Sequence, residues 1–438
     1  MRNPVLAIVL LGLVGTANAQ TPGPAMRLSF ADAVARAGGT APPVELATLR
    51  TAESSARLRQ TRGALLPSID AAAYWSNRTY NSQSFGFSFP GVPTLIGPFN
   101  NYDARLRGSQ TLFSIATFKR VDAARAQLTS AQADQAVAAE GAAQLAAIAY
   151  LRAARAAAVV SARRADSSLA AELVALAQAQ TTAGVSTPID VTRARTQFVT
   201  AENGLLVAQN QAERARIDLA RALGVDPATP LELSDTLRAD LPAADVPSER
   251  NPAVGAALDG RPDLRAEIAR GQAARQARAA ISAERLPRLD LVADYGLNGP
   301  TVPSAISTRE LQLQVSIPLF DGLRREGRIA EQDAVTREAA VRERDLRQQV
   351  AADVDAARLD LATAAAQQAI AAEQLSLAGD ELRQARERFA AGVAGNIEVI
   401  NAQVSRIRAR DGDIDARFAA AAARVALARA VGAARSLH

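Results

Sequence analysis

Few side chains in this sequence could perform covalent chemistry. Its 438 residues include no cysteine, and the single histidine, His438, is the last residue. Thiol nucleophiles, thiolate metal sites and disulfides are therefore excluded, and chemistry that depends on histidine is close to excluded. Residues 411–415 (Asp-Gly-Asp-Ile-Asp) resemble the start of a calcium-binding loop, but Ala416 occupies the position at which that loop requires glycine. We therefore expect a protein that is not an enzyme and that has no metal site and no cofactor.

The charged side chains that remain are carried by an apolar, alanine-rich chain. Apolar residues make up 48% of the sequence, charged residues 22% and aromatic residues 4%. This composition excludes a disordered chain and predicts a core of alanine and small aliphatic side chains. The formal net charge of +5 is small and evenly spread, so we expect no nucleic-acid partner.

The first residues have the pattern of an export signal. Arg2 precedes an apolar run over residues 5–14, and Ala17-Asn18-Ala19 supplies the small residues of a cleavage site. The run is too short to cross a bilayer as a helix. We expect residues 1–19 to be a signal peptide and the mature protein to be exported without a transmembrane helix.

Proline placement and helical periodicity predict long helices. No proline lies between Pro98 and Pro188 or after Pro318, and these stretches are rich in residues that favour helices. Apolar residues recur within them at steps of three and four, as in the series Leu346, Val350, Val354, Ala357 and Leu361. Such steps are typical of coiled-coil packing. We predict an extended helical hairpin in each half of the chain, with helices at about 42–63, 114–183, 188–223, 262–284, 321–390 and 397–432.

The sequence contains an internal duplication. The segment Ala183-Gly184-Val185 recurs 208 positions later as Ala-Gly-Val, and residues 66–70 (Leu-Pro-Ser-Ile-Asp) recur 220 positions later as Leu-Pro-Arg-Leu-Asp. These and other matching blocks have the same order in both halves, which chance matching does not explain. We therefore divide the mature chain into a first structural repeat at 20–225, a proline-rich and irregular connector at 226–261, and a second repeat at 262–438.

Each repeat also contains two segments with the alternating pattern of a strand. In one of them, Leu311, Leu313 and Val315 alternate with glutamine and serine, which gives one apolar and one polar face. We predict strands at about 69–80, 103–113, 288–298 and 309–319, each long enough to cross a membrane when tilted. A half-buried hairpin packed on the helices is the alternative, although aromatic residues concentrated between Tyr74 and Phe118 favour the membrane.

A membrane location has a consequence for assembly. Every backbone N–H and C=O group in a bilayer must be paired, so the strands must belong to a closed barrel. The smallest known barrels have about eight strands, twice the number predicted here. A membrane-embedded sheet therefore requires strands from at least two chains, and the protein would be an obligate oligomer.

In these features the sequence resembles the TolC-type outer membrane efflux proteins. The resemblance rests on the duplication, the repeated Leu-Pro blocks, Leu319-Phe320 at the end of the fourth strand, and the two Ala-Gly-Val turns. It implies a mainly α fold with four transmembrane β-strands per chain. It also implies a homotrimer whose twelve strands form one barrel in the outer membrane lipid of a Gram-negative bacterium. A long antiparallel α-helical coiled-coil barrel would continue that β-barrel into the periplasm.

The resemblance implies a function and partners as well. The channel would be a passive exit duct of a tripartite efflux pump or a type I secretion system. It would work with a periplasmic adaptor (membrane fusion) protein and an inner-membrane pump, and the residues do not indicate whether it conducts drugs, metals or proteins. A soluble periplasmic coiled-coil adaptor or scaffold is the alternative, but no block of closely spaced strands flanks the helices. An exported hydrolase is disfavoured by the lack of usable histidine and cysteine.

By the same resemblance, the turns between the long helices contact the adaptor. The docking candidates are Gly184, Val185, Ser186, Thr187, Gly392, Val393, Ala394 and Gly395. The glycines of the Ala-Gly-Val turns are also expected to end helices as C-caps. Asp190 and Glu398 are expected at helix starts, where acidic side chains favour the positive end of the dipole.

The family closes its periplasmic end at a constriction that often carries acidic side chains. The candidates in this sequence are Asp380, Arg383, Arg386 and Glu387. Arginine occurs where an acidic residue would be expected. A solvated helix face with i,i+3 and i,i+4 ion pairs is therefore the alternative for these four residues.

Overall fold

The computed structural model describes residues 26–86, 91, 93–237, 242, 246–247, 249–393 and 395–438. The expected signal peptide and the docking candidate Ala394 lie outside the described residues. The helices in chain order are α1 (Phe30–Thr40), α2 (Pro42–Gly63), α3 (Ile115–Thr182), α4 (Pro188–Leu223), α5 (Arg250–Gly260), α6 (Pro262–Ser282), α7 (Arg324–Ala390) and α8 (Asn396–Val431). The strands are β1 (Met26–Leu28), β2 (Ser68–Asn81), β3 (Leu95–Ser114), β4 (Leu231–Leu233), β5 (Arg288–Gly299) and β6 (Ile306–Ser316).

Proline fixes where several of these elements begin and end. Pro42, Pro188 and Pro262 occupy the first turns of α2, α4 and α6, where the missing N–H leaves no hydrogen bond unmade. β6 ends at Ser316, earlier than the predicted 319, because Pro318 cannot donate to a sheet. β3 begins at Leu95 rather than at 103 because it stays paired with β2 as far as Asn81.

The connector at 226–261 is more ordered than the sequence predicted. It contains β4, which pairs in parallel with β1, and the helix α5. Pro252 does not prevent this helix because it lies in the first turn, where proline is tolerated. The prediction of an irregular segment was therefore wrong for these two stretches.

The described residues divide into two compact units. The unit that we call the hairpin unit comprises the described residues within Met1–Ala33, Ala146–Leu241 and Gln367–Ala421. The unit that we call the sheet unit comprises Val34–Leu145, Pro242–Ala366 and Ala422–His438.

In the hairpin unit, α3, α4, α7 and α8 pack through small and aliphatic side chains. One buried cluster comprises Leu169, Leu173, Leu382, Ala385, Phe389, Val399 and Ala402. Full burial of each leucine or phenylalanine contributes about 2 kcal/mol. A second cluster is formed by Val160, Ala208 and Ala212, whose small size permits close approach of α3 and α4.

A buried tyrosine joins the first strand of the hairpin unit to the connector. The Tyr150 hydroxyl lies within hydrogen-bond distance of the Leu28 carbonyl (3.1 Å) and the Asp235 carboxylate (3.0 Å), which share its single proton. The same carboxylate accepts the Phe30 N–H at 2.7 Å, and the Phe30 ring packs edge-on against Tyr150. Burial raises the pKa of Tyr150 to about 12, so its hydroxyl stays protonated as a donor.

In the sheet unit, four antiparallel strands form one sheet in the order β2-β3-β5-β6. The β3–β5 pair joins the two sequence repeats, and β2 and β6 are the edge strands. Helical packing in this unit includes a cluster in which Val350 and Val354 meet Ala253 and Ala257. The four predicted strands thus belong to one sheet rather than to two separate hairpins.

The register gives the sheet two faces of opposite polarity. On the side that we call the apolar face, Leu291 pairs with Leu313 and Leu289 with Val315. Other large side chains on this face are Ile69, Trp75, Leu106, Tyr295, Leu297 and Leu311, and all of them are exposed. On the opposite side, the polar face, Asp290 pairs with Gln314 and Asp294 with Glu310.

The polar face carries a paired ionic cluster. Arg105 contacts Asp103 at 2.7 Å and Asp294 at 2.9 Å, and both carboxylates are nearly buried. The Tyr74 hydroxyl donates to Asp103 at 3.1 Å. One face of the sheet therefore suits water and its other face suits an apolar medium.

Candidate functional site

The first candidate site is the turn between α3 and α4, which we call the first tip. Gly184 has a φ of 74°, a left-handed conformation that glycine adopts without steric cost. Its N–H donates to the Thr181 carbonyl (3.1 Å), and the Val185 N–H donates to the Gln180 carbonyl (2.9 Å). These two bonds form a Schellman motif that satisfies the last carbonyls of α3.

The turn between α7 and α8, the second tip, repeats this geometry. Gly392 has a φ of 73°. Its N–H donates to the Phe389 carbonyl, and the Val393 N–H donates to the Arg388 carbonyl, both at 3.0 Å. The two glycines are therefore structural caps, and the turn geometry is shared by the two repeats.

At the first tip, the start of α4 is capped by an acidic side chain. The Asp190 carboxylate accepts hydrogen bonds from the Thr187 hydroxyl (2.6 Å), the Ser186 hydroxyl (3.0 Å) and the Thr187 N–H (3.2 Å). These bonds, above all that from the Thr187 hydroxyl, lower the pKa of Asp190. The hydroxyls of the docking candidates Ser186 and Thr187 thus donate hydrogen bonds within the tip itself.

The two tips are fastened to each other by polar contacts that the sequence did not indicate. The Asn396 side chain is buried and donates to the Asp190 carbonyl at 3.0 Å. The Gln180 side chain donates to the Phe389 carbonyl at 3.3 Å. The residues in each of these pairs are more than 200 positions apart, so no local pattern could have identified the contacts.

The outermost side chains of both tips are apolar. Val185 and Val393 are 68% and 72% exposed. Ile189 and Ile397, the first-turn residues of the following helices, are half exposed as well, at 54% and 50%. The two isoleucines were not among the docking candidates, although the repeat spacing of 208 positions that relates the valines also relates them.

The candidate constriction residues lie on the last turns of α7. Arg383 contacts Asp380 at 2.9 Å and Glu387 at 3.9 Å, and all three side chains are exposed. The hydrogen bond with Asp380 raises the pKa of Arg383. Arg386 instead faces α3, where it contacts Glu172 at 3.5 Å. The structure therefore brings together three of the four candidates and pairs the fourth, Arg386, with Glu172.

A buried ionic network also links α3 and α8. Asp166 is 2% exposed, and its carboxylate accepts from Arg163 (3.2 Å) and Arg410 (2.9 Å). Arg163 also contacts Asp411 at 2.6 Å. Asp411, which the sequence marked as part of a false calcium motif, thus has a structural role. Among the described residues, no three metal-ligating side chains form a group that could hold an ion.

Comparison with known proteins places this arrangement in a family. The family described as Outer membrane efflux protein matches the chain over residues 36–225 and 253–433, one match for each repeat. Protein CyaE of Bordetella pertussis is 29% identical over 406 residues, which cover 89% of this chain and 81% of CyaE.

Solved structures share the fold at low sequence identity. The outer membrane protein VceC of Vibrio cholerae superposes with a TM-score of 0.75 at 20% identity, covering 92% of this chain and 96% of VceC. The outer membrane channel CmeC of Campylobacter jejuni superposes with a TM-score of 0.79 at 16% identity, covering 92% of this chain and 86% of CmeC. The soluble adaptor alternative is thereby ruled out. The match to the family covers both repeats, and the fold is that of outer membrane channels. The chain therefore belongs to the outer membrane efflux protein family and is an exit channel of the outer membrane.

Proposed function

We propose that three copies of this chain form one duct that carries substrates passively from the periplasm to the exterior. The observation that supports this proposal most strongly is the sheet, which has one apolar and one polar face and two open edges. An open edge cannot remain unpaired in a bilayer. Three copies supply twelve strands, above the minimum of about eight for a barrel, with β6 of each copy pairing with β2 of the next.

The polarity of the sheet decides which side faces the lipid. The apolar face carries the exposed side chains Leu311, Leu313 and Val315, which would be unfavourable in water as a continuous patch. The polar face, with its Arg105–Asp294 pair, lines the water-filled interior. Outer-membrane barrels alternate in this way along every strand.

The helices carry exposed apolar faces that a neighbouring copy would cover. On α4, Val199, Leu206 and Ile217 are exposed at spacings of seven and eleven residues, which places them on one face. On α7, Leu359, Ile370 and Leu377 are exposed at spacings of eleven and seven. We propose that these two faces meet in adjacent copies and continue the barrel as helices.

We propose that the tips dock a periplasmic adaptor, which in turn binds an inner-membrane pump of an efflux or a type I secretion system. Val185, Ile189, Val393 and Ile397 offer the adaptor an apolar surface in both repeats. Gly184 and Gly392 shape that surface through their left-handed turns, and the hydroxyls of Ser186 and Thr187 stabilise it by hydrogen bonds to Asp190. An adaptor that also carries an apolar helical tip would fit this surface.

The proposed assembly is tested by its oligomeric state and its conductance. Purified protein should run on an unheated denaturing gel as a heat-sensitive trimer and should open ion-conducting pores in planar bilayers. A monomer that leaves the bilayer insulating would contradict the proposed duct.

We also propose that Asp380 and Glu387 contribute to the periplasmic constriction. Because Arg383 pairs with both carboxylates, removing either one should loosen the pairing at the end of α7. Asp380→Ala or Glu387→Ala should therefore raise the single-channel conductance or change its dependence on cations. Glu338→Ala, which removes a similar exposed i,i+4 partner of Arg342 elsewhere on α7, serves as the control. Unchanged conductance in both tip variants would contradict this role.

A further inference from the structure

The two repeats differ where the sheet meets the long helices. In the first repeat, β3 runs directly into α3, and Ser114, Ala116 and Thr117 are buried there. In the second repeat, β6 ends and residues 317–323, which we call the junction loop, precede α7. The large apolar side chains of the junction loop are exposed: Ile317 at 54%, Leu319 at 92%, Phe320 at 80% and Leu323 at 65%.

The backbone of the junction loop is also strained. Leu323 has a φ of 63° and is the one non-glycine residue with a positive φ among the described residues. The left-handed region disfavours any residue with a Cβ atom, and the leucine side chain gains little burial within its own chain. An exposed apolar residue held under strain indicates that something outside the protomer covers it.

The register indicates that the covering material is lipid. Leu313 and Val315 lie on the apolar face of β6, and Pro318 disfavours a helical conformation at Ile317, the residue before it. Extended backbone over this stretch predicts that Ile317 and Leu319 continue the same face. A neighbouring chain that pairs with the edge of β6 would lie in the plane of the sheet, so it would not cover side chains that project from this face.

The charge beside the junction loop fits a membrane surface. Arg324 directly follows the loop and is exposed. Its guanidinium donates to the Asp321 carbonyl at 3.0 Å, and it contacts no carboxylate among the described residues. Leucine and phenylalanine next to an arginine that has no ion-pair partner among the described residues are typical of segments that lie at the boundary between acyl chains and phosphate groups.

We propose that the junction loop anchors the protein in the periplasmic leaflet of the outer membrane. Ile317, Leu319 and Leu323 enter the leaflet, and Arg324 binds the phosphates of anionic phospholipids. The corresponding residues of the first repeat, Leu112 and Phe113, are less exposed, at 45% and 49%, and belong to the continuous strand β3 rather than to a loop. The inference rests on the membrane location of the sheet, and it adds a device that fixes the depth of the sheet in the bilayer.

Tryptophan fluorescence can test the anchor separately from the location of the sheet. The chain has one tryptophan, Trp75, which is 59% exposed on the apolar face of β2. Wild-type protein in liposomes containing brominated phospholipid reports on the sheet through Trp75. The double variant Trp75→Phe/Leu319→Trp reports on the junction loop alone. A tryptophan at Leu145 of α3, which is 56% exposed, in the same Trp75→Phe background is the control that should stay unquenched.

The expected result is that brominated lipid quenches both Trp75 and the tryptophan at position 319. Bromine near the headgroup should quench the loop probe at least twice as strongly as bromine near the bilayer centre. Quenching of Trp75 without quenching at position 319 would overturn the anchor while leaving the channel intact. If neither is quenched, the membrane location itself is contradicted.

The phosphate contact has its own test in the same liposomes. Quenching at position 319 should be stronger in phosphatidylglycerol than in phosphatidylcholine vesicles, and Arg324→Gln should abolish that difference. The same lipid preference with and without Arg324 would overturn the contact between this arginine and phosphate.

Discussion

At the scale of single residues, the Asp190 carboxylate holds the first tip together through three hydrogen bonds. Its pKa in the folded state is lowered, so its stabilising contribution is present above the unfolded value of about 3.9. That contribution is lost as the pH falls through the folded pKa. The tip should therefore open more readily in acid.

Asp190→Asn should lower the local stability of the first tip by about 1 kcal/mol at pH 7, the usual size of a helix N-cap effect. Hydrogen exchange of the amides at the start of α4 measures this stability. The difference between variant and wild type should shrink when exchange is analysed near pH 3. Glu398→Gln is the matched control, because Glu398 is the repeat-related residue and its carboxylate contacts the exposed Arg388 at 3.2 Å. A loss that is the same at both pH values would contradict the role of the Asp190 charge.

The Tyr150 hydroxyl provides a second prediction at this scale. Tyr150→Phe leaves the ring in place but removes the donor to Leu28 and Asp235, which should cost about 1–2 kcal/mol because buried partners lose a hydrogen bond. Limited proteolysis should then cut the connector faster than in the wild type. Tyr295→Phe on the exposed apolar face is the control and should have no effect. Equal cleavage of all three proteins would show that the hydroxyl does not hold the connector.

At the scale of elements, glycine has opposite effects at two positions near the end of α7. Gly392→Ala should destabilise the second tip by about 1 kcal/mol because its φ of 73° disfavours a Cβ atom. Gly379→Ala, in the helix interior with open space around it, should stabilise α7 by a similar amount because alanine favours helix. Hydrogen exchange along α7 distinguishes the two. A change of the same sign in both variants would contradict this account.

The difference between local and non-local signals explains how much of the fold the sequence could predict. The predicted helix at 114–183 and the observed α3 differ by one residue at each end, because proline and periodicity are local signals. The start of α7 was placed three residues too early because nothing local indicated that Leu323 would adopt a left-handed conformation. The strand and helix inside the connector were missed because prolines in a first turn look like loop residues.

The candidate sites were less predictable than the elements. The tip turns followed from the repeated Ala-Gly-Val, but the contact of Asn396 with Asp190 and that of Arg386 with Glu172 join residues more than 200 positions apart. Such pairings depend on how helices are arranged in space. Local patterns in one sequence do not reveal these pairings, whereas they do reveal a helix cap or the two faces of a strand.

At the scale of the whole molecule, the function depends on the location of the sheet in the membrane. Substitutions at two neighbouring residues of β6 test that location. Leu313 lies on the apolar face and Gln314 on the polar face. An arginine on the lipid side near the middle of a barrel strand costs about 2–4 kcal/mol, whereas one on the interior side is tolerated. Leu313→Arg should therefore sharply reduce the yield of heat-sensitive trimer in the outer membrane fraction.

Gln314→Arg is the matched control, since it introduces the same side chain one position away. It should assemble at the wild-type level and shift the ion selectivity of the pore towards anions, because each trimer would gain three positive charges along the water-filled interior. Planar bilayer recordings of reversal potential measure that shift. If Gln314→Arg failed to assemble while Leu313→Arg assembled normally, the two faces of the sheet would have to be exchanged and the proposed barrel would be inside out.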